Sequence, residues 1–334
     1  MPSKTKQIAF EWAERTGVFR LLQGWGGHPD DRLYVLAYHR VDTPEHRPWL
    51  SPFELSASPQ QFEAQMQLLA RHYRPVTVTE VLSAALEGAP LPANAVLVTV
   101  DDGYLDFQEI IFPIASRYGI RPLLFIPTGY VGQGAFWWDR LYRAVYNHNE
   151  TLLNTPAGAL SLQDDVEKKQ AYLSLSAYFK RIPYRQAQQE LDSLCAPVEN
   201  AQVAPRSTLD WDELRRLHQA GAAIAAHTHH HPILSQVAPE EARLELRQSQ
   251  ELIRQQLGEA LPVFAFPDGT PQAMSMALLP ILQEEGFALA FTMISAAARL
   301  RSDALLHLPR LGVWPSLSLA QFHYHLTPLY YESA

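Results

Sequence analysis

Short apolar runs rich in β-branched residues alternate along this chain with longer stretches whose apolar residues recur at helical spacing. That alternation predicts parallel strands joined by crossover helices. Strands are expected at Leu33–Tyr38, Val96–Val100, Pro122–Ile126, Ala222–Ala226, Val263–Phe266 and Ala288–Thr292. Between them Phe62, Met66 and Leu69 mark one helix face, and Thr77 with Glu80 forms a capping box that starts a helix through Val81, Leu82 and Leu86. Asp210 with Glu213 starts another, which ends near Gly221.

The strand-helix rhythm breaks between about Phe136 and Arg206, where polar, helix-favouring stretches (Asp164–Phe179 and Tyr184–Leu194) separate two of the repeating units. This predicts a helical insertion over one end of a single domain spanning about 31–330. Residues 1–30 form an N-terminal extension. In that extension Ile8, Trp12, Phe19, Leu22 and Trp25, with Lys4, Lys6, Arg15 and Arg20 nearby, fit either a helix packed on the domain or one lying in a membrane interface.

Composition narrows the classes. The chain has 334 residues, 47% hydrophobic and 19% charged, as expected of a globular protein with a sizeable core. Its net charge of −8, with no run of Lys and Arg, argues against a nucleic-acid partner. The single cysteine, Cys195, forms neither an internal disulfide nor a cysteine-based zinc cluster, so any metal must be held by His and carboxylate. Charged residues interrupt the start of the chain, so no secretory signal is read there, and no apolar run reaches the ~20 residues of a membrane span. The expected location is cytoplasmic, with peripheral contact at the inner face of the membrane as an option.

Chemistry concentrates where predicted strands end, the place where barrel-type α/β enzymes build their sites. Val98-Thr99-Val100-Asp101-Asp102-Gly103 places two adjacent carboxylates at a strand end, and Gly103 permits the sharp turn that follows. Such a pair can divide labour, one carboxylate binding a cation and the other moving a proton. An isolated Asp-Asp-Gly also serves as a simple helix cap. Ala226-His227-Thr228-His229-His230-His231 follows the next strand but one, and the i, i+4 spacing brings His227 and His231 to one side if the segment is helical or tightly turned. Two His and one carboxylate leave open positions on a zinc-like ion for water and substrate. His229 and His230 are bystanders in that reading.

Taken together, the Asp-Asp-Gly element followed by His-Thr-x-x-His resembles the first two motifs of NodB-type polysaccharide deacetylases, carbohydrate esterase family four. The resemblance runs from about Tyr34 to Val313 and takes in Ala37-Tyr38-His39-Arg40-Val41 and Leu308-Pro309-Arg310-Leu311-Gly312-Val313, segments common in bacterial members. It implies a distorted (β/α) barrel and a metal-dependent hydrolase that removes acetyl groups from N-acetylated sugars. Asp101 would be the catalytic base and Asp102, His227 and His231 the ligands of a divalent metal, zinc first, with cobalt, nickel or manganese as alternatives. Thr228 would support the site by hydrogen bonding.

Departures from the family pattern are specific. The third motif aligns with Phe264-Ala265-Phe266-Pro267-Asp268, so Phe264 stands where an arginine usually orients the catalytic Asp and Asp268 where a tyrosine is usual. Pro267 and Asp268 would still face substrate, the backbone N–H of Asp268 donating to an oxyanion. Leu305-Leu306-His307 resembles the motif that supplies a general acid, with His39 the competing pocket histidine. Trp137 and Trp138 could stack on a sugar ring or pack the insertion. Two other functions fit the same features: a hydrolase of another C–N amide bond on this fold, and a catalytically weak carbohydrate-binding homologue. The missing arginine favours the binder, and the intact Asp101 favours an enzyme.

Overall fold

A computed structural model describes residues 10–13, 16–19, 31–201, 204–301, 303–328 and 330. Most of the expected N-terminal extension, including Ile8, Leu22 and Trp25, lies outside the described residues. Of its apolar positions that are described, Phe19 is buried and Trp12 is exposed.

Among the described residues nine strands form the main sheet: β1 (Arg32–Tyr38), β2 (Arg74–Pro75), β3 (Ala95–Val100), β4 (Leu123–Ile126), β5 (Ala223–Ala226), β6 (Val263–Ala265), β7 (Leu289–Phe291), β8 (Ala298–Arg299) and β9 (Leu311–Gly312). The order along the sheet is β7-β6-β5-β4-β3-β1-β8, with β2 beside β3 and β9 beside β1. Every pairing is parallel except β1 with β8. The six strands expected from the apolar runs are present within a residue or two at each end. The short strands β2, β8 and β9 carry too few apolar positions to register as runs.

The sheet is a curled half-barrel, and the stretch through Leu308–Gly312 reaches both of its margins. Leu308 N–H donates to Ala290 O at 2.8 Å and Thr292 N–H to Leu308 O at 2.8 Å, while Leu311 and Gly312 pair with Leu36 and Ala37 of β1. Residues of this stretch are thereby fixed against the interior of the curl.

Alternation along the strands sorts side chains into two cores, as a period of two requires. Tyr34, Leu36, Val96, Val98, Leu124, Ile126, Ile224 and Phe264 face the surrounding helices. Leu33, Val35, Leu97, Leu123, Phe125, Ala225, Val263, Ala265 and Phe291 fill the interior of the curl. The helices that cover the outer face begin with α1 (Pro59–His72), which buries Phe62, Met66 and Leu69 behind a Ser58–Gln61 capping box. Unlike α1, α2 (Val78–Glu87), which starts at the Thr77–Glu80 box, packs Val78, Val81 and Ala84 against the interior core. After α3 (Phe112–Arg117) and β4 the chain leaves the sheet for a helical region.

That region consists of α4 (Trp137–Tyr146), a hairpin pairing Leu152–Thr155 with Gly158–Ser161, α5 (Asp165–Phe179) and α6 (Tyr184–Ala201). Its own apolar cluster holds Leu141, Val145, Leu153, Tyr172, Leu175, Phe179, Leu191 and the buried Cys195. The hairpin was not legible in the sequence. Then α7 (Trp211–Gln219) follows its Asp210 cap, α8 (Pro239–Leu257) covers β5, and α9 (Leu278–Glu284) and α10 (Leu319–His325) complete the layer. Among the described residues, no helix is long and apolar enough to cross a membrane.

Phe264 sits on the helix-facing side of β6, fully buried and packed edge-on to Phe266 at 5.1 Å. Its side chain therefore points away from the interior that Asp101 shares. Phe264→Ala should lower stability by about 3–5 kcal/mol through lost burial and a residual cavity, measured by denaturant unfolding. Unchanged stability would contradict its place in the outer core.

Candidate active site

Asp101 immediately follows β3 and continues the inward-facing set of odd-numbered positions, two residues beyond Thr99. Both of its oxygens meet the guanidinium of Arg310, Nη1 to Oδ1 at 2.8 Å and Nη2 to Oδ2 at 2.7 Å. Arg310 is itself fully buried, with Nη1 also donating to Thr99 Oγ1 at 3.1 Å and Nε to Thr292 O at 3.0 Å. Burial alone would raise the Asp101 carboxyl, but Arg310, with a smaller contribution from His227, overrides it and holds the group well below the usual carboxylate range. The charge partner that appeared to be missing at Phe264 is thus supplied by Arg310. Sequence reading overlooked it because the two residues are 209 positions apart, although Arg310 stands inside a segment already noted.

Asp102 turns the other way from its neighbour because its φ is +76°, and Gly103 continues the left-handed turn at +71°. A Cβ on Gly103 would come within 3.0 Å of Ile126 Cγ2, so the glycine permits close packing as well as the turn. Among the described residues the non-glycine positions with positive φ are Asn94, Asp102, Thr228, His231 and Asp268. Four of these five lie in the two strand-end motifs or the third-motif loop, the kind of clustering that backbone strain shows at functional sites.

Asp102, His227 and His231 converge. Nε2 of His227 is 3.2 Å from Nε2 of His231, and Asp102 Oδ1 is 3.6 Å from the first and 3.4 Å from the second. The histidine segment is tightly turned rather than helical. Thr228 Oγ1 donates to His227 O at 2.5 Å and accepts from His231 N at 3.0 Å. His229 and His230 belong to the scaffold: their N–H groups donate to Glu245 Oε2 at 2.9 and 2.6 Å, the His230 ring meets Glu245 Oε1 at 2.8 Å, and the His229 ring meets Thr128 Oγ1 at 2.8 Å. Glu245, on α8, thereby pins the loop between the two inward histidines.

This donor set fits a divalent ion. Asp102 Oδ1 is buried and takes no hydrogen bond, which leaves a charged oxygen needing a partner. The Nδ1–H of His227 donates to Ala265 O at 2.7 Å, which leaves the Nε2 lone pair aimed at Asp102. Burial pushes His227 down to about 4, so the ring is neutral near pH 7, as a ligand must be. Atoms bound at ~2.1 Å to one tetrahedral ion stand ~3.4 Å apart, close to the three separations observed.

A cavity of about 450 Å³ opens over these groups. His39, Asp268, Trp137 and Trp138 line it with the two aspartates and the two histidines, whereas Pro267 and His307 do not. Pro267 is buried. His307, in the short turn Leu305–His307, lines another hollow with Met274 and Ile294 that shares Phe266 with the cavity. Trp138 is buried, stacked on Phe136 at 4.5 Å and edge-on to His231 at 5.0 Å, and its Nε1–H donates to Tyr104 Oη at 2.7 Å. Tyr104 Oη in turn donates to Asp139 Oδ2 at 2.8 Å. With one face covered, Trp138 braces the histidine.

Several lining residues carried no motif signal. Glu54, at the end of the turn Pro52–Glu54, faces Asp102, and burial followed by that neighbouring charge pushes its carboxyl up against the pull of His39 and Lys180. Lys180, just past α5, reaches Asp268 Oδ2 at 2.8 Å. Burial would raise Asp268, but Lys180 and Thr270 hold it below its ordinary range.

A family model described as polysaccharide deacetylase matches residues 88–290. Among curated proteins, the poly-beta-1,6-N-acetyl-D-glucosamine N-deacetylases of Escherichia coli strain K12 and Escherichia coli O157:H7 are each 30% identical over 101 residues, covering 30% of this chain and 14% of theirs. The match thus takes in only about a seventh of those relatives' length. The Streptococcus pyogenes deacetylase PplD in complex with acetate superposes with a TM-score of 0.59 at 20% identity, over 89% of this chain and 99% of that one. IcaB from Ammonifex degensii gives 0.58 at 19%, over 89% and 98%. The BpsB deacetylase domain from Bordetella bronchiseptica gives 0.53 at 16%, over 87% and 99%. At these identities the structures share the fold.

The Arg310–Asp101 pair makes a stability prediction whose sign is fixed by its chemistry. A depressed carboxyl contributes stability that is present above the unfolded value and is lost as pH falls through the folded one. Arg310→Met leaves Asp101 buried and unpaired, so near neutrality it should cost about 3–5 kcal/mol. The deficit should shrink toward about pH 4, where the carboxyl protonates, and Arg310→Met/Asp101→Asn should recover much of it at neutral pH. Denaturant unfolding at both pH values checks this, and a deficit independent of both pH and Asp101 would contradict the pairing.

Proposed function

This chain belongs to the polysaccharide deacetylase family, and on that premise we propose that it removes acetyl groups from N-acetylated sugars by hydrolysis, using a divalent metal held by Asp102, His227 and His231. The observation that carries the reading is the convergence of those three donors beside a second carboxylate, Asp101, held ionised by Arg310 in the same cavity. The missing third-motif arginine was the argument for a catalytically weak binder. The Arg310 fork on Asp101 answers it.

When bound, a divalent ion supplies Lewis acidity that acidifies water and polarises the acetyl carbonyl. The rest is the work of the chain. Asp101 accepts a proton from the attacking water as its oxygen adds to the carbonyl carbon. Ionisation makes the carboxylate available for that proton, and the two-point hold of Arg310 fixes its direction. The backbone N–H of Asp268 donates to the oxygen that becomes negative. As the C–N bond breaks, an acid protonates the departing amine, and acetate and a free amino sugar result.

For that acid we favour His39 over His307, because His39 lines the cavity with Asp101 and Asp102 while His307 lines another hollow. Trp138, Phe136 and Tyr104 brace His231, and the inserted region walls the cavity through Trp137, Tyr172 and Lys180. The Escherichia coli relatives are named for poly-beta-1,6-N-acetyl-D-glucosamine, so polymers and oligomers of N-acetylglucosamine are the first substrates to test.

Acetate release should occur on N-acetylglucosamine oligomers, stop on chelation and return when zinc, cobalt, nickel or manganese is restored. His227→Ala and His231→Ala should each weaken retention of the ion, followed by elemental analysis. Release that is indifferent to chelator, or His variants that hold metal as tightly as the parent, would overturn the metal assignment.

A further inference from the structure

At the mouth of the catalytic cavity an indole stands in solvent. Trp314 lines that cavity yet is 47% exposed, whereas Trp138, which also lines it, is buried. Exposed large aromatics beside a polar cleft are informative in a way that scattered exposed leucines are not.

The chain around Trp314 holds it in place. Gly312, in β9, pairs with Ala37, and Val313 N–H donates to Ala37 O at 3.0 Å. One residue beyond the indole, Pro315 O accepts from Gln61 Nε2 at 3.0 Å, and Leu317 N–H donates to Trp314 O at 3.1 Å. The ring lies directly against Gly312: a Cβ built there would be 2.4 Å from Trp314 Cζ3 and 3.2 Å from Cη2. That Cβ would also come within 3.1 Å of Met293 Cε. Met293 in turn is tied to the third-motif loop, its N–H donating to Gly269 O at 2.8 Å. A glycine and a fixed backbone thus seat the indole, and Met293 beside Gly312 links that seat to the loop bearing Asp268 and Thr270, which also line the cavity.

We propose that Trp314 is a stacking platform for a sugar ring adjacent to the one that reacts, so that the site grips an oligomer rather than a single N-acetyl sugar. This rests on the deacetylase reading above and extends it to chain length. A pyranose presents a face of C–H groups with hydroxyls around its rim. An exposed indole matches that face, and the polar groups of the Asp268–Thr270 loop stand close by to meet the rim. Because the platform is already ordered, little entropy is lost when the ring lands on it. An aromatic contact of this kind contributes modestly, which suits a subsite that aligns a polymer while allowing it to move on.

The test compares the monomer with N-acetylglucosamine oligomers of increasing length, on the parent, Trp314→Ala, Trp314→Phe and Gly312→Ala, with melting temperatures confirming that each is folded. Turnover gives KM and kcat; if the parent shows none, calorimetry gives Kd for the same oligomers. Trp314→Ala should raise KM or Kd for oligomers about two- to tenfold with a smaller effect on the monomer. Trp314→Phe should restore most of the loss, and Gly312→Ala, which displaces the ring, should reproduce part of it. Equal affinity of parent and Trp314→Ala for oligomers would overturn the platform, as would an equal loss on monomer and oligomer. A parent that releases acetate while showing either result keeps the deacetylase reading and loses only the platform. A parent that neither binds nor hydrolyses any of the sugars overturns both.

Discussion

The buried pair between Asp101 and Arg310 is the constraint around which the rest of this site is arranged. A carboxylate and a guanidinium this deep are costly to desolvate, and they persist only because each satisfies the other through two hydrogen bonds while Thr99 and the Thr292 carbonyl take up further donors of the guanidinium. The pair also ties a central strand to the stretch that joins the two margins of the curled sheet. Asp101 ends a central strand, and Arg310 lies in the stretch that bonds to β7 on one side and β1 on the other. The contacts that close the curl therefore also bring Arg310 onto Asp101.

From that anchor the positions of the other groups follow. Asp102 cannot continue the extended alternation, and its left-handed backbone turns its carboxylate toward His227 and His231 instead of toward Arg310. Adjacent residues of the same type thus have different partners and different chemistry, one paired with a cation of the chain and the other left with an unsatisfied oxygen. The histidine loop is set by Glu245, by Thr228 and by the hydrogen bond from His227 to Ala265, all inside the fold. Trp137, Tyr172 and Lys180 of the helical region after β4 also line the cavity, and the Lys180–Asp268 ion pair ties that region to the third-motif loop.

Much of this was legible in the sequence because it is written locally. Apolar runs marked the six principal strands, capping boxes at Thr77 and Asp210 marked helix starts, and the Asp101-Asp102 and His227–His231 clusters stood at strand ends. What escaped depends on contacts that local pattern does not encode. Arg310 meets Asp101 only after the sheet curls. Phe264 looked like a lost charge partner because its position was matched to a motif, yet on β6 it faces the helices. His307 follows a plausible short pattern but lines a different hollow, and Glu54 sits in a short turn with no motif around it. Trp138 was visible as an aromatic near the site, but that one of its faces is covered by Phe136 requires the packed structure.

The central claim is that Asp101, kept ionised by Arg310, is the base for hydrolysis. Asp101→Asn preserves size and polarity and removes the proton acceptor, so acetate release and bound divalent metal, measured on the same preparation, test it most directly. The account predicts a loss of ~10²–10⁴-fold in rate with the metal retained at Asp102, His227 and His231. Acetate released at the parental rate by a metal-loaded Asp101→Asn protein would contradict it.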